Sequence, residues 1–261
     1  MGSDRPIPLD LEATAYSYVE RPNSVLVELV ERQVIVHRSR PRILDIGCGA
    51  GANAREIKAR HAGVFIQGIE PNAHAAELAR AAADEVFVGL ADAWLAQGPH
   101  EPFDAVVLSD VVEHIPDPVA FLRGLSEAPC LAHARFVISV PNYAVWYNRL
   151  GTLAGRFEYA WSGLYDRTHL RFFTRRSLEG LLEYCDLRVV DRRCTPSIVQ
   201  SAAPVLRRLF EKDASAGDHL SLSESAAFRI YRRFVEPAES AVCSAWPELL
   251  GFQIVFVAER A

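Results

Sequence analysis

Two groups of residues in this chain have the types and spacing to do chemistry. The first is Asp45-Ile46-Gly47-Cys48-Gly49-Ala50-Gly51, followed by Glu70 at the end of the next apolar run. Glycines at every second position, opening a helix, let the backbone aim N–H groups at a ligand that approaches closely. Gly47 to Ala52 also fits the dinucleotide pattern G-x-G-x-x-G/A. Asp45, however, sits where a dinucleotide would place its pyrophosphate, and like charges repel there. A ligand with a cation at that point would be attracted instead. Glu70 lies about 20 residues beyond the glycines, a spacing at which a carboxylate can accept hydrogen bonds from ribose hydroxyls. The second group is His169 with Asp166, and His114 beside Glu113. A histidine has an ordinary pKa of about 6.5, so it can take a proton from a reacting hydroxyl near neutral pH.

The elements that must position these residues alternate between short apolar runs and helical patterns. Runs at 42–46, 64–70, 86–88, 103–110, 136–142 and 187–190 read as six strands, and Phe252–Val257 as a seventh. Asn23-Ser24 caps a helix carrying Val25, Leu26, Leu29 and Val30; Asp117-Pro118 is an N-cap and N1 pair; Thr174 caps a helix whose apolar face is Leu178, Leu181, Leu182 and Cys185. Alternation of this kind predicts an α/β doubly wound sheet with its ligand at the carboxyl ends of the strands.

Composition narrows the class. The 261 residues are 50% hydrophobic and 23% charged, as in an ordinary globular protein. A net charge of −5 argues against a general nucleic-acid binder. No apolar run reaches the roughly 18 residues of a membrane span and no signal pattern opens the chain, so a cytoplasmic location is expected. The five cysteines are scattered and never form a C-x-x-C pair, so neither a disulfide framework nor a metal centre is expected, and Cys48 reads as a small apolar filler.

The Asp45–Gly51 string resembles motif I of the class I S-adenosylmethionine (SAM)-dependent methyltransferases. SAM carries an α-ammonium and a sulfonium and no phosphate, which fits the charge of Asp45. Glu113-His114-Ile115-Pro116-Asp117-Pro118 is similar to the subgroup around the ubiquinone O-methyltransferases. Asp166-Arg167-Thr168-His169-Leu170-Arg171-Phe172-Phe173-Thr174 resembles bacterial methyltransferases of surface-glycan assembly. The resemblance implies a Rossmann-like seven-stranded sheet with an antiparallel last strand, and helical and aromatic cap insertions. It also implies SAM as cofactor and S-adenosylhomocysteine as product. Asp45 would then lie near the methionine ammonium, with Gly47, Gly49 and Gly51 against the ligand. Tyr18 and Arg21 would bind the methionine carboxylate. Glu70, with Pro71 and Asn72 opening the next helix, would hold the ribose; Asp92 would reach the adenine; Ser109 and Asp110 would face the methyl donor.

The acceptor is expected at residues 143–173, where aromatics concentrate although the whole chain is only 10% aromatic. Tyr143, Trp146, Tyr147, Tyr159 and Tyr165 suit a sugar ring or another flat acceptor, and Arg171 suits a phosphate or carboxylate on it. His169 is the candidate base, Asp166 its orienting partner, and His114 a scaffold or acceptor-positioning residue. The expected organisation is an N-terminal arm and helix over 1–41, a SAM-binding core over 42–193 plus 250–261, and a helical insertion over 194–249. That insertion reads as a lid or homodimer surface. Its Arg207-Arg208 and Arg232-Arg233 leave peripheral contact with an anionic membrane as a further reading. The function expected is O-methylation of a small-molecule or glycan hydroxyl. The alternatives are N-methylation of an amine such as an amino sugar, a non-catalytic SAM-binding partner, and a nicotinamide dehydrogenase, which Asp45 and the last strand disfavour.

Overall fold

The computed structural model describes residues 21–160, 163–196, 241–243 and 245–261. Tyr18, Trp161 and the double arginines at 207–208 and 232–233 lie outside them, as do the insertion helices expected from Pro204 and from Ser221 to Glu224. Among the described residues, no helix is long and apolar enough to cross a membrane.

Seven strands form one sheet: β1 Arg42–Ile46, β2 Phe65–Glu70, β3 Glu85–Val88, β4 Ala105–Ser109, β5 Arg135–Pro141, β6 Leu187–Pro196 and β7 Gly251–Arg260. Their order is β3-β2-β1-β4-β5-β7-β6. β1 to β5 pair in parallel, and β7 runs antiparallel to both β5 and β6. The class I methyltransferase sheet implied by the sequence is the sheet observed.

Near-continuous apolar strands are needed because both faces are covered. Successive residues of a strand point to opposite faces, so Leu44, Val106 and Phe136 enter one core while Ile43, Val107 and Val137 enter the other. The first core is closed by α5 (Pro118–Glu127) and α7 (Arg175–Tyr184), through Leu122, Leu125, Leu178 and Leu182. The second is closed by α1 (Ser24–Gln33) and α2 (Ala52–Arg60), through Leu26, Leu29, Val30 and Ile57. The expected caps form: the side chains of Asn23, Asp117 and Thr174 accept from the N–H groups of Leu26, Ala120 and Ser177.

Four elements depart from expectation. β6 runs on to Pro196 and β7 to Arg260, because the two strands pair along their whole length. The expected core boundary at 193 therefore falls inside a strand. β4 is shorter than 103–110: Phe103 turns to donate to the Cys130 carbonyl, and Asp110 leaves the strand with φ 56°. The cap contains an unexpected helix, α6 (Trp146–Leu153). Shorter helices α3 (Ala73–Ala79), α4 (Ala91–Leu95) and α8 (Pro247–Leu250) lie between strands.

Candidate functional site

The glycine turn lies at the carboxyl end of β1, in the middle of the sheet. Gly47, Gly49 and Gly51 all have positive φ, at 71°, 53° and 79°. Packing adds to the requirement at two of them. A Cβ on Gly47 would come within 2.6 Å of the Val111 side chain, and one on Gly51 within 3.1 Å of the Ala79 backbone. The turn is tied to β2 by the N–H groups of Gly47 and Cys48, both donating to the Ile69 carbonyl. Glu70 finishes the frame, accepting from Gly49 N–H through Oε2 and from Asn72 N–H through Oε1, each at 2.9 Å. Asn72 itself caps α3, and Pro71 is exposed.

Asp45 is 3% exposed and its Oδ1 has no hydrogen-bond partner. Burial, with the nearby Glu70 charge second, pushes its pKa up to about 7. A buried acid without a counter-charge is costly to ionise, and a ligand cation beside it would relieve that cost. The Cys48 thiol is pushed up by burial and by both acids, which makes it an inert filler. Asp92 is exposed in the first turn of α4, and Arg21 is exposed at the approach to α1.

A denser set of side chains occupies the other side of β1, where β4 and β5 end. Asp110 accepts from Ser139 Oγ at 3.2 Å and from the Gln253 side-chain amide. Ser109 Oγ lies 3.4 Å from the same Ser139 Oγ, whose single proton is taken by Asp110. Burial lifts Asp110 to about 6, against the lowering effect of those two donors. A single turn of 3₁₀ helix, Val112–His114, then brings in Glu113, which is 1% exposed and has no hydrogen-bond partner on either carboxylate oxygen. Burial, then the charges of Asp110 and Asp166, holds Glu113 well above the ordinary carboxylate range.

His114 and His169, distant in sequence, meet edge to face with ring centroids 4.8 Å apart. Each ring is fixed through Nδ1: His114 lies 3.2 Å from the Thr168 carbonyl, and His169 lies 3.1 Å from the Leu164 carbonyl. A carbonyl only accepts, so each neutral ring carries its proton on Nδ1 and leaves the Nε2 lone pair available. Burial is the main cause lowering both pKa values, and His169 further lowers His114. The orienting bond expected from Asp166 is made by Leu164 instead. The Asp166 carboxylate is turned back onto its own loop, accepting from Thr168 N–H at 2.9 Å and Thr168 Oγ1 at 2.7 Å. Glu113, His114 and His169 each offer one ligand atom within 4.8 Å of the others, close enough to share a divalent cation.

The cap supplies a wall of rings beside this cluster. Tyr143 lies 5.3 Å from Phe172 and 6.4 Å from Tyr165, and Phe157 lies 5.0 Å from Tyr165. Trp146 and Tyr147 form a separate pair at 5.8 Å. Tyr159 touches Phe157 but is largely exposed. The Arg171 guanidinium donates to the carbonyls of Leu170 and Pro116, pinning the cap to the loop after β4. A cavity of about 640 Å³ opens along α6, bordered by Tyr143, Asn148, Arg149 and Leu153.

Sequence reasoning passed over Ser139, Asn142 and Gln253 as site residues. The available signal was polarity: Ser139 and Gln253 interrupt apolar strands, and Asn142 follows one, fully buried. The Asn142 side-chain amide donates to the carbonyls of Glu248 and Gly251, fastening the end of β5 to the start of β7.

A family model described as a methyltransferase domain matches residues 18–192. The ubiquinone biosynthesis O-methyltransferase of Neisseria meningitidis is 34% identical over 92 residues, which are 33% of this chain and 38% of that relative. This match therefore spans well under half of the relative's length. Among solved structures, a SAM-dependent methyltransferase from Archaeoglobus fulgidus aligns with 90% of this chain and 92% of its own, at TM-score 0.52 and 20% identity. Phosphoethanolamine N-methyltransferase 2 of Haemonchus contortus, solved with S-adenosyl-L-methionine, covers 92% of this chain and 53% of its own, at TM-score 0.54 and 15% identity. At these identities the structural likeness concerns the fold alone.

Proposed function

Because the chain belongs to the methyltransferase-domain family, we propose that it uses SAM as its methyl donor and methylates an oxygen of a small-molecule or glycan acceptor, with His169 as general base. The observation that carries this reading is the histidine pair. Each ring has Nδ1 committed to a carbonyl, and each has a pKa below the ordinary histidine value. Such rings are neutral at pH 7, and an acceptor hydroxyl must lose its proton as the methyl arrives. Methyl transfer from a sulfonium also needs an in-line nucleophile held close, which the Tyr143, Phe157 and Tyr165 wall can supply by stacking against a ring. His114 positions His169 by edge contact, and Asp166 shapes the loop that carries both Thr168 and His169.

The test is incubation with SAM and a panel of sugar nucleotides, glycans, phenols and amines, followed by mass spectrometry for an added methyl. Methylated hydroxyl acceptors support the reading, and methylation confined to amines replaces it with N-methylation. SAM binding without turnover on any acceptor class would favour a binding partner.

One observation favours a second reading of how the oxygen is activated. Glu113 is buried with both oxygens unpartnered, beside two histidines that each bring one ring nitrogen within 4.8 Å of it. A divalent cation there would neutralise Glu113 and lower the pKa of a coordinated hydroxyl. Turnover that a chelator abolishes and magnesium or manganese restores supports this route. Turnover indifferent to chelator leaves the histidine alone as base.

A further inference from the structure

Gln253 stands at the meeting point of four separate parts of the chain. Its side-chain nitrogen donates to Asp110 Oδ2, at the end of β4. Its side-chain oxygen accepts from Asn23 Nδ2 at 3.2 Å and from Thr195 Oγ1 at 3.3 Å. Asn23 is the N-cap of α1, and its own N–H donates to the Asn53 side chain at 2.9 Å, in the first turn of the helix that the glycine turn opens. Thr195 and Gln253 are also register partners near the ends of β6 and β7, where the chain departs toward the 197–240 stretch and returns.

A glutamine amide is suited to such a junction because it donates and accepts at once. An Asp110 carboxylate can only accept, and an Asn23 amide nitrogen can only donate, so the two cannot exchange places around it. The chain of bonds encloses the β1–β4 side of the cleft. The ribose is expected on the other side of β1, where Glu70 ends β2. The part of SAM on the β4 side is then its methionine half.

We propose that Gln253 is a positioning residue for SAM: it locks the start of α1 and the Asp110 carboxylate together, closing the methionine half of the cleft while leaving the nucleoside half untouched. The inference rests on the SAM-dependent activity and is independent of which acceptor is methylated.

The test compares SAM with 5′-deoxy-5′-methylthioadenosine, which keeps the nucleoside and sulfur but lacks the amino-acid end. Titration calorimetry is run on the wild type, Gln253→Leu and Asn23→Ser. Serine remains a good N-cap but removes the nitrogen that donates to Gln253, so α1 keeps its start. Gln253→Leu should weaken SAM on the order of tenfold, as for loss of a hydrogen bond to a charged group. Asn23→Ser should weaken it about threefold. Methylthioadenosine should bind all three proteins alike. If Gln253→Leu does not fold, Asn23→Ser decides alone. Unchanged SAM affinity in the variants, or equal weakening of both ligands, overturns the proposal. SAM binding by the wild type is read in the same titrations, so failure of the methyltransferase premise is distinguishable from failure of the junction.

Discussion

On the β1–β2–β3 side of the cleft stands a glycine turn whose amides bond back to Ile69, Cys48 and Glu70, so its shape is set by backbone and by one bracing acid. On the β4–β5 side stand side chains: Asp110, Glu113, His114 and His169, packed together with two of their pKa values lowered and two raised. The first side is made by local conformation and binds whatever has the right shape and charge. The second forces titratable groups into a dry space, which is where proton chemistry can be arranged. In the proposed function, the glycine turn with Asp45 and Glu70 recognises the donor, the Asp110–Gln253 junction closes over its methionine half, and the histidine pair activates the acceptor.

Variants on the two sides should therefore fail differently. The largest effect is expected for His169→Gln, which should cut turnover roughly 10²–10⁴-fold with SAM affinity unchanged. Single-turnover kinetics alongside calorimetry checks this, and a loss confined to SAM affinity would erase the division of labour. Next, Asp45→Ala and Glu70→Ala should each weaken SAM by about tenfold or more, corresponding to about 1.5–3 kcal/mol for a charge-assisted bond.

Asp45 sharpens that expectation with a pH dependence. Burial pushes its carboxyl up to about 7, and a cationic ligand favours its ionised form. SAM affinity should fall as pH drops below 7, with proton release on binding, measurable by calorimetry in buffers of different ionisation enthalpy. Asp45→Asn should flatten the curve.

A smaller effect is expected at Glu113. Its raised pKa means that the folded state holds the proton more tightly than the unfolded state does. Its contribution to stability therefore declines as pH rises from the ordinary carboxylate range toward its folded-state value. Glu113→Gln should match the wild type in acid and melt higher at pH 8, by about 2–4 °C for each kcal/mol recovered. The smallest effect belongs to Arg171→Ala. It removes exposed bonds to two carbonyls and should cost about 1 kcal/mol of stability while leaving SAM affinity alone.

The same contrast explains what was legible in the sequence. The glycine turn, Asp45, Glu70 and the caps at Asn23, Asp117 and Thr174 are local: spacing and residue type define them, and they form where expected. The β4–β5 side is assembled across distance. His114 and His169 could each be named, but not their contact, because a loop between them has to fold back over the 3₁₀ turn. Asp166 was misread as the orienting group because adjacency in sequence suggests it, whereas the short Asp-x-Thr turn captures its carboxylate first. The charge of Arg171 is visible in the sequence, whereas its bonds to the carbonyls of Leu170 and Pro116 are not. Gln253 had only its polarity within an apolar strand to mark it.

The most direct test of methyl transfer to oxygen by the histidine pair is the pH–rate profile on a hydroxyl acceptor, recorded at saturating SAM with chelator present. A buried histidine base predicts a rate that rises through a pKa below about 6.5, the ordinary histidine value, and then levels off at neutral pH. That limb should vanish in His169→Gln. A rate that keeps rising above neutral pH with the ionisation of the acceptor, and is the same in His169→Gln, would contradict it.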